Sequence, residues 1–151
     1  ALRVDKLILA GLEATIELYF HREKAKEKIP TLSLLCMNQK VVEKRARRLL
    51  RMIRTRLPAS GLEVSLEKEY SEVGGGAYPS QTIPSSVLVI RFPSLSVSDL
   101  EERLRLSSPP ILGRIRKDSF TLDVRTLLDR DFPDIIEALL KIRDSLKRSE
   151  T

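Results

Sequence analysis

The chain of 151 residues contains one cysteine, one histidine and no tryptophan. A lone thiol, Cys36, cannot close an internal disulfide, which favours a reducing compartment and makes a cytoplasmic location the expectation. Its neighbours Leu34, Leu35 and Met37 are apolar, so it reads as a buried structural thiol rather than a nucleophile. With His21 the only imidazole, no Cys/His cluster exists and no zinc site forms at the usual ligand spacings, so no metal is expected. His21 itself reads as a cap-like or surface residue. Neither a G-x-S-x-G elbow nor an H-E-x-x-H pair occurs, so these residues are not expected to hold a complete catalytic apparatus. Long apolar runs are missing too. The longest, from Leu7 to Leu12, is far too short to span a bilayer, and no membrane is expected as a partner. The charged opening around Arg3, Asp5 and Lys6 is not that of a secretory signal. The first residue is not methionine and a helix begins almost at once, which points to a piece of a longer chain.

Glycine is also sparse, and half of it is spent in one place. Three of the six glycines stand together as Gly74, Gly75 and Gly76 inside Glu72-Val-Gly-Gly-Gly-Ala-Tyr-Pro79. Three successive residues without Cβ let another group approach the backbone closely. The run reads either as a flexible connector or as a candidate cleft loop shaped for a ligand or a neighbouring subunit. It is neither a dinucleotide fingerprint nor a P-loop, because the G-x-G-x-x-G spacing and the Gly-Lys-Ser/Thr ending are both missing.

What the chain does have is apolar and charged residues in globular proportion, 42% and 32%, enough for a real core. Its net charge of +6 allows an anionic partner but does not establish one. Placement is more informative. Asn38 is a good N-cap for a helix running to about Leu57, with Val42, Ala46, Leu49, Leu50, Ile53 and Leu57 on its buried face. On that helix Lys40, Lys44, Arg47, Arg51 and Arg54 follow spacings of 4, 3, 4 and 3 and form one basic stripe. Glu43 is the only acid within it. The stripe reads either as a solvated face salt-bridged to acids elsewhere, or as a surface for phosphates. No aromatic residues interleave, so base stacking is not suggested.

Before the glycines the pattern is helical. Val4 to about Arg22 carries Val4, Ile8, Leu12, Ile16 and Tyr19 on one face. Ile29-Pro30-Thr31 restarts the chain ahead of an apolar patch over Leu32–Met37. After the helix with the stripe, Leu62–Tyr70 alternates with period two, and Ser85–Phe92 has an apolar centre; both read as strands. A short helix follows over Ser96–Leu106, with Ser98 and Glu101 as a capping box. Ile111–Arg116 and Phe120–Arg125 read as a hairpin joined at Lys117-Asp118-Ser119, and Phe132–Lys147 as a last helix, with Ile136, Leu139, Leu140, Arg143 and Leu146 in its repeat. The expected fold is α+β: a small, mostly antiparallel sheet covered by helices and preceded by a long connecting helix. The expected division is 1–28 for the connecting helix and 29–151 for the small domain.

Five strings come in a fixed order: Ala1-Leu-Arg3-Val-Asp5-Lys6-Leu, Ile29-Pro30-Thr31, Glu72-Val-Gly-Gly-Gly-Ala-Tyr-Pro79, Pro109-Pro110-Ile-Leu-Gly113-Arg114-Ile, and Leu122-Asp123-Val-Arg125-Thr126. Together they resemble the C-terminal portion of the bacterial selenocysteine synthases, the L-seryl-tRNA(Sec) selenium transferases. The resemblance covers essentially the whole chain. It implies a fold-type I pyridoxal 5'-phosphate enzyme whose Schiff-base lysine lies in a large domain ahead of residue 1, so Lys6 is not that lysine. The piece in hand is then inactive alone, and its cofactor-binding residues are unknown. The implied reaction converts seryl-tRNA(Sec) to selenocysteinyl-tRNA(Sec) with selenophosphate, the cofactor serving as electron sink. An anionic selenium donor needs cations, preferably forked guanidinium groups. Arg3 matches the second arginine of the family's Arg-x-x-Arg-Val-Asp-Lys motif, a position implicated in the anion site. Arg114 is the other candidate, by analogy with small-domain arginines that face the cofactor cleft; the alternative is a strand-surface ion pair. Asp123 and Arg125 can simply pair. The family also implies ring-shaped homo-oligomers and a tRNA partner, for which Lys40, Lys44, Arg47, Arg51 and Arg54 are candidate contacts. Two other readings stay open: a fragment of a related pyridoxal-phosphate lyase, and a free-standing nucleic-acid-binding α+β domain.

Overall fold

The computed structural model describes residues 4–58, 61–73 and 82–149. It divides into two compact units, Ala1–Met37 and Asn38–Thr151.

The first unit holds α1 (Lys6–Tyr19), α2 (Arg22–Lys28) and α3 (Pro30–Cys36). Asp5 is the N-cap of α1, its Oδ1 accepting from the Leu7 N–H at 2.7 Å, as a short acid before a helix should. The single connecting helix expected over 1–28 is in fact two helices broken at Phe20 and His21. His21 is the N-cap position of α2 without a side-chain cap bond. Ile29 is extended and Pro30 opens α3, the first-turn position where a missing N–H costs nothing. The apolar run 32–37 is therefore mostly a helical turn and a half. Cys36 is exposed, not buried, because it ends a seven-residue helix that buries none of its side chains. The first compact unit ends after α3, at Met37.

The second unit is α+β. It runs α4 (Gln39–Arg56), β1 (Glu63–Glu72), β2 (Thr82–Arg91), α5 (Val97–Arg105), β3 (Arg114–Arg116), β4 (Ser119–Asp123) and α6 (Phe132–Ser149). The four strands form one sheet in the order β1-β2-β4-β3, with antiparallel neighbours throughout. Register puts Leu66, Leu88 and Leu122 in one row, and Val64, Ile90 and Phe120 in the next. Because side chains alternate across a strand, these rows share the face that α4 and α5 cover. There they meet α4, which buries Val42, Ala46, Leu49 and Ile53, and α5, which buries Leu100 and Leu104; α6 packs against these two helices and buries Phe132, Ile135 and Leu139. The seam of α6 includes Ile135 and Ile142, whereas Leu140, Arg143 and Leu146 are only half-buried.

Local chemistry explains the element ends. Asn38 caps α4, its Oδ1 accepting from the Lys40 N–H at 2.9 Å. The cap of α5 is Ser96 rather than Ser98: the Asp99 N–H donates to Ser96 Oγ at 3.1 Å. The β3–β4 turn is the two residues Lys117 and Asp118, both at positive φ (47° and 55°), since Arg116 already pairs with Ser119; this is the backbone twist that two-residue hairpins require. Gly113 has no room for a side chain. An added Cβ would stand 2.6 Å from the Thr121 carbonyl oxygen and 2.7 Å from Phe120 Cε2. Among the described residues no helix is long and apolar enough to cross a membrane.

Candidate functional site

The sheet has a second face, opposite the helices, where β1 and β2 present odd-numbered residues. Here a pocket of about 240 Å³ is lined by Glu69, Tyr70, Arg114, Arg116, Asp123 and Thr126, among others. Its two carboxylates are already engaged. Glu69 forms an ion pair with Arg116 across the sheet. Asp123, at the end of β4, accepts from Ser85 Oγ at 2.6 Å, from Ser71 Oγ and from the Arg125 backbone N–H at 3.0 Å. Arg114 is different. Its carbonyl oxygen accepts from Thr121 Oγ1 at 3.0 Å, which fixes the strand. Its exposed guanidinium has no ion-pair partner among the described residues. The strand-surface ion pair that sequence leaves open for Arg114 is made by Arg116 instead.

Arg125 lies beneath this face, only 3% exposed. Its guanidinium donates to the Pro84 carbonyl oxygen at 2.8 Å. Burial lowers its pKa, and the nearby Asp123 carboxylate opposes that shift. Asp123 and Arg125 do interact, but as part of a network that also takes in Ser71 near the end of β1 and Pro84 and Ser85 near the start of β2. Sequence spacing gives no sign of that convergence, because strand register creates it. Arg3, Gly74, Gly75 and Gly76 lie outside the described residues.

A separate charged surface runs along α4. Lys40, Lys44, Arg47, Arg51 and Arg54 are all exposed and line up as their spacing predicts. Arg47 bonds Glu43 at 2.6 Å, and Arg54 donates to the Val64 carbonyl oxygen at 3.1 Å. Lys40, Lys44 and Arg51 have no acidic partner among the described residues. Acids elsewhere in the chain do satisfy two cations beside the stripe: Asp129 accepts from Arg45 Nε at 2.7 Å and from Arg48 at 3.0 Å. Both guanidinium groups also lie over the Phe132 ring, 5.8 and 5.9 Å from its centre, so they serve packing as well as charge. An open groove of about 630 Å³ lies alongside, bordered by Lys40, Lys44, Arg47, Arg51 and Asp129. Exposed cations at a helical repeat, three of them without an acid among the described residues, can meet successive phosphates.

Among the described residues neither site pairs a hydroxyl or thiol with an imidazole, His21 being the chain's one histidine. Among the described residues no group of three metal-ligating side chains occurs. The lining of the open-face pocket includes the exposed Arg114 guanidinium, which suits the anionic end of a ligand.

The family model of L-seryl-tRNA selenium transferase matches residues 1–128. The L-seryl-tRNA(Sec) selenium transferase of Desulfovibrio desulfuricans is 42% identical over 141 residues, covering 92% of this chain and 30% of the relative. Those of Geobacter sulfurreducens and of Clostridium botulinum strain Hall are each 40% identical over 142 residues, covering 94% of this chain and again 30% of theirs. The chain thus spans about 30% of the length of the curated relatives it matches. With a match over most of its length, and with Gly113, Arg114, Asp123 and Arg125 inside the matched span, the chain belongs to the L-seryl-tRNA selenium transferase family.

Proposed function

We propose that this chain is the C-terminal portion of a pyridoxal 5'-phosphate-dependent transferase that converts seryl-tRNA(Sec) to selenocysteinyl-tRNA(Sec) using selenophosphate. The observation that carries the reading is the 40–42% identity to seryl-tRNA(Sec) selenium transferases over nearly the whole chain. Bound elsewhere in the full-length protein, the cofactor supplies an electron sink for loss of the seryl hydroxyl. The lysine that holds it belongs to the part of the protein outside this chain. A ring-shaped homo-oligomer and a cytoplasmic location belong to the same proposal.

The residues of this chain have two tasks in that scheme. Arg114, a guanidinium with no acid partner among the described residues in a pocket whose carboxylates are occupied, offers forked donors to a phosphate-like oxyanion. Arg3 is proposed for the same anion. The α4 stripe holds tRNA phosphates, with Lys40, Lys44 and Arg51 the cations that have no acid partner among the described residues. Neutralising Lys44, Arg47 and Arg51 together in the full-length protein should flatten the dependence of tRNA affinity on salt. The log–log slope should fall by roughly 0.7–0.9 for each phosphate contact removed. An unchanged slope removes α4 from the tRNA surface. A protein that binds no tRNA at low salt removes the transferase reading itself.

A further inference from the structure

Arg51 borders two hollows. On one side it closes the basic groove along the first half of α4. On the other it stands at the mouth of an apolar groove of about 580 Å³ between α4 and α6, floored by Met52, Pro133, Ile136 and Leu140, with Thr55 and Arg56 on the rim. Positions 52 and 55 lie on the flank of α4 next to the stripe, so a polyanion seated on Lys40, Lys44, Arg47 and Arg51 arrives at this groove within one more helical turn. Arg56 is exposed and adds a second cation to the rim.

Resting on the tRNA reading above, we infer that the α4–α6 groove takes an unpaired nucleobase of RNA whose backbone follows the α4 stripe. Charge complementarity selects the occupant: two guanidinium groups guard an apolar floor, which fits a flat ring carried on an anionic backbone. Met52, Ile136 and Leu140 give the ring a dry surface. The planar guanidinium of Arg51 or Arg56 can stack on it, as arginine does with bases. Polar edges are present as well. Thr55 Oγ1 donates to the Arg51 carbonyl oxygen at 2.9 Å and keeps acceptor capacity. Glu137 pairs with Lys141 at 2.7 Å on the α6 rim. Proteins read RNA mostly at unpaired positions, because the base edges of an A-form duplex are poorly accessible. A phosphate stripe that ends at an apolar slot is therefore suited to a single-stranded end or bulge next to a duplex.

The test uses the full-length protein and three RNAs of one duplex sequence: blunt, with a single-stranded 3' extension, and with the same extension made abasic. The intact extension should bind at least about fivefold more tightly than the other two. Leu140→Ser and Met52→Ser, both at half-buried positions, should erase that preference while leaving blunt-duplex affinity unchanged. Thr55→Glu, at an exposed position, should also erase it without touching the core, which guards against a folding defect. Equal affinity for the intact and abasic extensions in the wild type overturns the inference, as does a preference that survives all three substitutions. Binding of an acidic amphipathic peptide that is lost in the groove variants, with no discrimination among the RNAs, assigns the groove to a protein and overturns it too. The neutralised stripe separates the two levels: if it flattens the salt dependence while the groove variants change nothing, the tRNA reading stands and only the base pocket falls.

Discussion

Asp123 accepts hydrogen bonds from three partners, so its removal strands two serine hydroxyls and the Arg125 backbone N–H, and takes a carboxylate from beside the buried Arg125 guanidinium. Breaking a buried charge network from one side costs far more than exchanging the whole network for apolar groups. Asp123→Ala should therefore lower the unfolding free energy by about 3 kcal/mol. Asp123→Asn keeps the shape and part of the acceptor capacity but not the charge, and should lose about half as much. Urea unfolding with an unchanged m-value measures both; equal losses would show that the carboxylate charge contributes nothing. Gly113 gives a second prediction of a different kind. An alanine there meets the Thr121 carbonyl and the Phe120 ring, and since backbone cannot swing away, β3 must shift. The expected cost is about 1–3 kcal/mol, read as a lower melting temperature with faster amide exchange in β4. At this scale the sequence was a partial guide. It picked out Gly113 and Arg114 within one string and Asp123 with Arg125 in another. That Ser71, Pro84 and Ser85 join the second pair follows only from register, where Leu88 opposite Leu122 brings positions 71, 85, 123 and 125 to one end of the sheet.

Helix α4 was the most legible element, because its cap, its apolar seam and its basic stripe all obey one 3.6-residue period. Replacing the cap, Asn38→Ala, should cost about 1 kcal/mol, visible as a lower melting temperature. The strands were legible from alternation, but their lengths were not. β1 continues past Tyr70 to Glu72 because it pairs with β2 as far as Thr82, and no composition signal marks that pairing. α3 escaped notice because a short apolar run after a proline looks alike as strand, turn or helix. Ser96 displaced Ser98 as the cap of α5 for a similar reason: two serines two residues apart offer the same chemistry, and only backbone geometry chooses between them. The β3–β4 turn was placed correctly but holds an unexpected tension, since Lys117 and Asp118 both adopt positive φ, a region that glycine and asparagine tolerate best. Lys117→Asn should be neutral or stabilising by up to about 1 kcal/mol, and Lys117→Val should destabilise by at least as much. Thermal melts of the two variants give opposite signs if the turn conformation is as described.

Charge and apolar surface are both unevenly used across the chain. Acids are taken up where they hold structure, Asp129 by Arg45 and Arg48 and Glu69 by Arg116, so the surplus of +6 stands on faces such as the α4 stripe. Apolar surface is left over in the same way on α1. Leu7, Ile8, Leu12 and Ile16 are 83%, 63%, 53% and 47% exposed, although their spacing marks a face meant for burial. A continuous apolar helix face of this kind ordinarily docks against something, and a chain spanning about 30% of its relatives' length leaves ample protein elsewhere in them to provide it. The 151 residues prepared alone should therefore self-associate. Sedimentation should show a concentration-dependent mass above that of one chain, together with binding of a dye that reports exposed apolar surface. Changing Ile8, Leu12 and Ile16 together to lysine should return a monomer and abolish dye binding, because charge on that face opposes any contact and α1 buries no side chain whose loss would harm its own unit. The same triple substitution in the full-length protein should have the opposite consequence, lowering its melting temperature, because there the face has a partner to lose. A wild-type fragment that stays monomeric and dye-silent would mean that the α1 face is stable in water and that the rest of the protein need not cover it.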